Sequence, residues 1–239
     1  MGDEYFAAIL SRQQRLGFSK WGFLVYRCTY ASDTDWAQFL TNLNACVRHR
    51  LENEKLLECL EMRVIEDRSL FDGANKAAIR EHFNSWVVNN PEAQAEQPKL
   101  KSRVQDIGSP RYQYCIHVDA ASLRSMVAHV PQSSSKNAWR MGRVNLVQRY
   151  MQGAENAEWG GDWVTREERE AAGLSRENSS DEESDDDEGC PEIEGSTKYD
   201  VGWMVVEAKT LIPALWDYLS DLGAGWEMVY RRPPELPSL

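Results

Sequence analysis

The residues of this chain best suited to chemistry are Glu66, Asp67 and Asp72. Glu66 closes the short apolar stretch 62–66, and Asp67, Arg68 and Asp72 follow it. A carboxylate held against an apolar strand end loses hydration, its pKa rises, and it can serve as a general base. An ionised one can instead grip a guanidinium through paired hydrogen bonds. Glu66 and Asp67 are therefore the catalytic candidates, and Asp72 a candidate for holding substrate. Glu66 and Asp67 can equally cap a turn and pair with Arg68 or Arg80. Tyr26 and Arg27 lie inside the aromatic and β-branched run 21–30. An arginine among apolar strand residues is costly to bury unpaired, so Arg27 faces either a ligand anion or a structural carboxylate. His117 and Asp119 end another apolar run, where Asp119 is either a substrate contact or a helix cap.

Basic residues gather in three places. These are Arg48-His49-Arg50, then Lys99, Lys101 and Arg103, then Arg140, Arg143 and Arg149. Trp139 and Tyr150 flank the last group and would allow stacking on exposed bases. All three groups could touch a polyanion, set against ordinary solvated surface. Glycine-rich phosphate cradles, a GxSxG elbow and an HExxH pair are all missing, so no nucleotide, metal or other cofactor is implied. The five cysteines (28, 46, 59, 115 and 190) form no CxxC, and no zinc site is expected of them. They read as free thiols in a reducing compartment, with Cys28 and Cys115 as small core residues.

These groups need a scaffold. Run 21–30 reads as a strand, and Ser32 to Asp35 starts a helix with Trp36, Phe39, Leu40, Leu43, Val47 and Leu51 on one face. A short helical stretch around 56–60 and a strand over 62–66 follow. Residues 67–73 read as a loop turning at Asp72-Gly73, and Asn75 caps a helix burying Ile79, Phe83, Trp86 and Val87. Residues 89–110 read as a flexible basic loop. Strands are expected over 112–118, 143–150 and 199–207. A helix holding Leu123, Met126 and Val127 follows the first of these, and one starting at Thr210, with Pro213 in its first turn, follows the last. Such alternation predicts an α+β fold, an open sheet with helices packed on it, ferredoxin-like or a related sandwich. The domain is expected over 21–151 and 197–232. An N-terminal extension (1–20), an acidic disordered insertion (152–196) and a tail (233–239) complete the chain.

Net charge is −11 over 239 residues, but residues 177–194 hold ten acidic and no basic groups. The remainder carries 27 basic against 28 acidic groups (38 less 10), close to neutrality, so a nucleic-acid partner is compatible with the total. Ser179, Ser180 and Ser184 each precede an acidic residue by three positions, the spacing an acidophilic kinase reads. No apolar run approaches the roughly 20 residues that span a bilayer, and no basic-then-apolar leader opens the sequence, which points to a cytoplasmic protein without membrane contact. Deleting residues 177–194 is expected to leave the melting temperature nearly unchanged by calorimetry. A drop of more than a few degrees would mean that the tract packs on the body.

The segments WGFLVYRCTY, VIEDRSLFDGANKAAIREHFNSW, RYQYCIHVD and VGWMVVE resemble a family of fungal proteins, over about residues 21 to 216. In size and missing motifs the chain is similar to the arginine-containing cyclodipeptide synthases. That resemblance implies a tRNA-dependent transferase joining arginine from arginyl-tRNA to a second aminoacyl group, giving a diketopiperazine in fungal secondary metabolism. The amine of one aminoacyl group attacks the ester of the other, and a second, internal attack closes the ring. The activated esters supply the driving force, so no ATP cradle is needed. Glu66, Asp67 and Asp72 would then serve as base and guanidinium holder, with basic patches on tRNA phosphates. The alternative is a non-catalytic interaction module regulated through its acidic tract.

Overall fold

The computed structural model describes residues 6, 9, 11, 17–48, 51, 54–97, 109–127, 142–149, 189–220 and 225–238. The elements are β1 (Leu24–Arg27), α1 (Asp33–Arg48), α2 (Glu54–Cys59), β2 (Arg63–Ile65), α3 (Arg68–Phe71), α4 (Lys76–Asn89), α5 (Pro91–Glu96), β3 (Tyr114–Val118), α6 (Ala120–Val127), β4 (Arg143–Gln148), β5 (Trp203–Glu207), α7 (Trp216–Leu219) and α8 (Gly225–Val229). The strands form one five-stranded sheet in the order β2-β1-β3-β4-β5. β1 pairs parallel with β2 and β3, whereas β3–β4 and β4–β5 are antiparallel. This is an α+β architecture, an open mixed sheet with helices packed on it, as the alternation implies.

The two sheet faces follow from strand alternation. Phe23, Val25, Ile116, Val118, Val144, Leu146, Met204 and Val206 point into the main core, with Trp36, Phe39, Leu43 and Val47 of α1 and Leu123 and Met126 of α6. The opposite face carries Tyr26, His117 and Asn145 in one register row, beneath the α4 side chains Ile79, Phe83 and Trp86. Both helix faces expected from three-and-four spacing are thus buried. The predicted caps also form. Asn75 Oδ1 accepts from Ala78 N at 2.9 Å, and Asp119 Oδ1 from Ser122 N at 2.8 Å.

Several boundaries differ from expectation. Residues 67–73 are not plain loop. Asp67 accepts from Ser69 N and Leu70 N, and that capping suffices for the single turn α3. Residues 89–97 are not loop either, since Asn90 caps α5 with Pro91 at its first position. Residues 98–108, including Lys99, Lys101 and Arg103, lie outside the described residues, as does Arg140. The helix expected from Thr210 is broken: a 3-10 turn at Ala208–Thr210 and a kinked, wider turn at Leu211–Leu215 precede the regular α-helix, which begins at Trp216. Ile212, directly before Pro213, takes the extended angles φ −138°, ψ 131°, because the proline ring crowds its preceding residue out of the helical region. The side chains expected to face inward there, Leu211, Leu215, Trp216 and Leu219, are all buried nonetheless. Downstream, Trp226 stacks on Tyr114 at 5.4 Å and so docks the C-terminal segment onto the sheet.

The chain divides into two compact units, Met1–Arg149 with Trp203–Leu239, and Tyr150–Gly202. In the second, the described segment 189–202 contains a tight turn bridged between Ile193 and Ser196. Most of the acidic insertion, with Ser179, Ser180 and Ser184, lies outside the described residues.

Candidate functional site

The parallel strands β1, β2 and β3 end on the same side of the sheet. β1 hands the chain on toward β2, and β3 hands it on toward β4. In open sheets such a divergence leaves a crevice at the carboxyl ends, where ligands bind. Here that mouth carries Arg27, Cys28, Glu66, Asp67, Asp72 and Asp119.

Arg27 ends β1 with its side chain only 7% exposed. Its Nη2 pairs with Asp33, Nη1 donates to Glu66 Oε2 at 3.3 Å, and Nε donates to the Thr29 carbonyl at 3.1 Å. The guanidinium also lies over Tyr30, 4.3 Å from the ring centroid, and 5.1 Å from that of Trp36. Three of its five N–H donors are thus taken, and two carboxylates and two rings enclose the buried guanidinium. Arg27 ties the β1 exit to the start of α1. Glu66, at 50% exposure, is held by one oxygen.

Asp67 caps the turn through a single oxygen, Oδ1. Ser69 Oγ donates to it at 2.6 Å, and the N–H groups of Ser69 and Leu70 add two more bonds. The Ser69 hydroxyl, then these amides, hold its carboxyl below the usual carboxylate range. That environment opposes a general base. Asp72 closes the same turn and lies 3.7 Å from Arg68. Asp67 therefore caps a turn, as the alternative has it, whereas Glu66 pairs with Arg27.

Asp119 anchors a second polar group on the α4 face. Asn145 Nδ2 donates to its Oδ2 at 3.0 Å and lies 3.2 Å from Ser122 Oγ and 3.3 Å from His117 Nδ1. His117 Nε2 faces the Ala74 carbonyl at 2.9 Å. A carbonyl only accepts, so Nε2 carries the hydrogen. Lys76 lies 3.9 Å from Asp119 and 4.2 Å from the Trp203 ring centroid. Burial favours the neutral Asp119, but the Ser122 and Asn145 hydrogen bonds and His117 outweigh it and hold the carboxyl below its ordinary range. Sequence reasoning did not single out Asn145, Ser122 or Lys76. Asn145 shows one signal, an amide inside an apolar strand, which must find partners when buried.

Cys28 lies at the β1 exit beside this group. Burial pushes its thiol up to about 12, far from the range in which a thiolate forms. Tyr26 points beneath α4, where its hydroxyl meets His82 Nδ1 at 3.0 Å, and burial raises its pKa strongly. Tyr26 is thus a core residue rather than part of the rim. Of the described basic candidates, Arg143 is exposed. Arg149 is 3% exposed, with Nε donating to Asn84 at 2.8 Å, which closes it to a nucleic-acid phosphate unless that contact opens. Among the described residues no cluster of His, Cys, Asp and Glu suits a metal ion, and no helix is long and apolar enough to cross a membrane.

The mouth therefore joins a caged arginine, an acidic rim and a satisfied polar network. Compared with known proteins, the chain matches no family model, no curated protein and no solved structure.

Proposed function

We propose that this chain is a binding module that takes a guanidinium- or ammonium-bearing ligand at the acidic mouth of its sheet. The observation that carries this reading is the state of the carboxylates. Asp33, Glu66, Asp67 and Asp72 oppose Arg27 and Arg68, leaving an excess of two negative charges (four less two). Those whose acidity is perturbed, Asp67 and Asp119, are shifted downward. Such groups bind cations well and accept protons poorly. Regulation through the acidic tract 177–194 completes this reading, since a tethered polyanion competes for the same cationic ligands.

A second reading is the tRNA-dependent cyclodipeptide synthase, with the mouth holding an arginyl side chain. It is favoured by Glu66, which is half exposed and, unlike Asp67, caps no turn. In this reading Glu66 and Asp67 are catalytic, Asp72 holds the guanidinium, and aminoacyl-tRNAs are the substrates.

Calorimetric titration with arginine amide tests the first reading. Binding is expected in the millimolar range or tighter, to weaken with salt, and to fall about tenfold in Glu66→Gln, the loss of one charge-assisted contact. No heat from folded protein would sink it. Mass spectrometry of a bacterial host expressing the chain tests the second reading. An arginine diketopiperazine that disappears in Glu66→Gln and Asp67→Asn supports synthesis, whereas undiminished yield removes both residues from catalysis.

A further inference from the structure

The two edges of the sheet differ. β2 is paired on one side by β1, and none of its three residues is buried. β5, at the other edge, buries three of its five. In a parallel ladder, alternate residues of a strand address its neighbour. Arg63 N donates to the Phe23 carbonyl at 3.0 Å, so Arg63 and Ile65 turn their peptide groups toward β1. The N–H and C=O of Val64 therefore point away from the sheet, and among the described residues no backbone group meets them. The Val64 side chain, like that of Met62, packs only partly against the main core. Glu66 follows two residues on, shares the Val64 face by strand alternation, and is half exposed. Arg63 turns to the other face, where it pairs with Glu92 and lies 5.9 Å from the centre of the Trp86 ring. An open edge of this kind can take a further strand, held by main-chain hydrogen bonds and selected by alternate side chains.

We propose that the outer edge of β2 accepts an extended basic segment of a partner protein as a sixth strand, with an apolar side chain beside Val64 and, two residues away, an arginine or lysine against Glu66. Charge decides for this occupant. The carboxylates at the β2 exit exceed the cations paired with them, and Glu92 already neutralises Arg63. A basic segment is therefore drawn to this end of the edge and meets no opposing charge along it. A second copy of this chain, paired antiparallel about Val64, would set Glu66 beside Met62 and add no cation. Alternation fixes the rest. The side chains of the added strand that share the Val64 face cover the part-buried Val64 and Met62, so an apolar residue suits that position. The choice of a basic partner rests on the cation reading of the mouth, whereas the open edge does not.

Calorimetric titration of the full chain with the acetylated, amidated peptide Arg-Thr-Val-Thr-Arg tests this, with arginine amide as reference. An arginine of this peptide reaches Glu66 whichever way the added strand runs. The peptide is expected to bind about tenfold tighter than arginine amide, the added main-chain hydrogen bonds supplying the difference. The Val64 N–H, followed by hydrogen exchange, should gain about tenfold protection with the peptide and none with arginine amide. Val64→Pro removes this outward donor and leaves the β1–β2 ladder intact, so the variant should fold, keep arginine amide and lose the tenfold gain. Equal affinities with Val64 unprotected would overturn strand addition and leave the cation reading of the mouth standing. A protected Val64 beside a silent arginine amide would sink that reading and keep the added strand. Equal binding of Glu-Thr-Val-Thr-Glu would overturn the basic partner. Protection of Val64 that grows with protein concentration alone would give the edge to a second copy and overturn the proposal.

Discussion

Replacing Arg111 with alanine is expected to lower stability by about 3–5 kcal/mol, the range for breaking a buried ion pair by removing one partner. Its side chain is 0% exposed and sits between two carboxylates. Nη2 meets Glu61 Oε2 at 2.5 Å, Nε meets Glu96 Oε2 at 2.9 Å, and Nη1 donates to the Glu61 carbonyl at 2.9 Å. Tyr112 adds a hydroxyl to Glu96 at 3.2 Å. This one guanidinium joins the end of α5, the approach to β2 and the turn before β3. Truncation leaves Glu96, only 12% exposed, without its cation. Denaturant unfolding measures the loss. A change under about 1 kcal/mol would show that water enters and solvates Glu96. The combined Arg111→Met/Glu96→Leu chain should recover much of the loss, because two apolar side chains need no partner.

Trp216→Ala should cost a similar amount, about 3–5 kcal/mol, by deleting a large buried ring and leaving a cavity. Trp216 is 1% exposed and lies edge-on to Trp21 at 5.5 Å and to Phe23 at 5.0 Å. Those two residues precede and enter β1, so Trp216 keys the C-terminal helices to the first strand. Trp21 is itself fixed, with Nε1 donating to the Leu56 carbonyl at 2.7 Å. Thermal unfolding would read the loss, and Trp216→Phe should recover part of it. If Trp216→Ala melted like the wild type, the C-terminal segment would not belong to the cooperative core.

The two replacements differ in how visible they were beforehand. Trp216 stood on an apolar stripe with Leu211, Leu215 and Leu219, and each of these side chains is buried as that pattern requires. Arg111 carried no such mark. It lies between the polar stretch 89–110 and the strand expected from 112, yet it is fully buried. Its partners lie 50 and 15 positions away, and no local pattern announces a pairing over that distance.

The same contrast runs through the mouth of the sheet. Arg27 was recognisable as a charge that needs a partner, because burying a guanidinium alone is prohibitive. Which carboxylates answer it, Asp33 and Glu66, depends on the approach of α1 and β2 to one strand end. Asp67 looked equally suited to a base and to a cap. The geometry of the turn at Ser69 and Leu70 decided for the cap, and so for a strengthened acid.

By itself the sequence determined the order of the five strands and of the longer helices α1, α4 and α6, the buried faces of α1 and α4, and the caps at Asn75 and Asp119. All of these rest on interactions within about four residues, where side-chain periodicity and backbone donors leave few choices. Tertiary structure alone decided the strand order, the partners of Arg27 and Arg111, and the polar row Tyr26–His117–Asn145 under α4. The physical reason is that a charge or polar group takes whichever partner folding brings within hydrogen-bond reach, and that proximity is a property of the packed sheet rather than of neighbours along the chain.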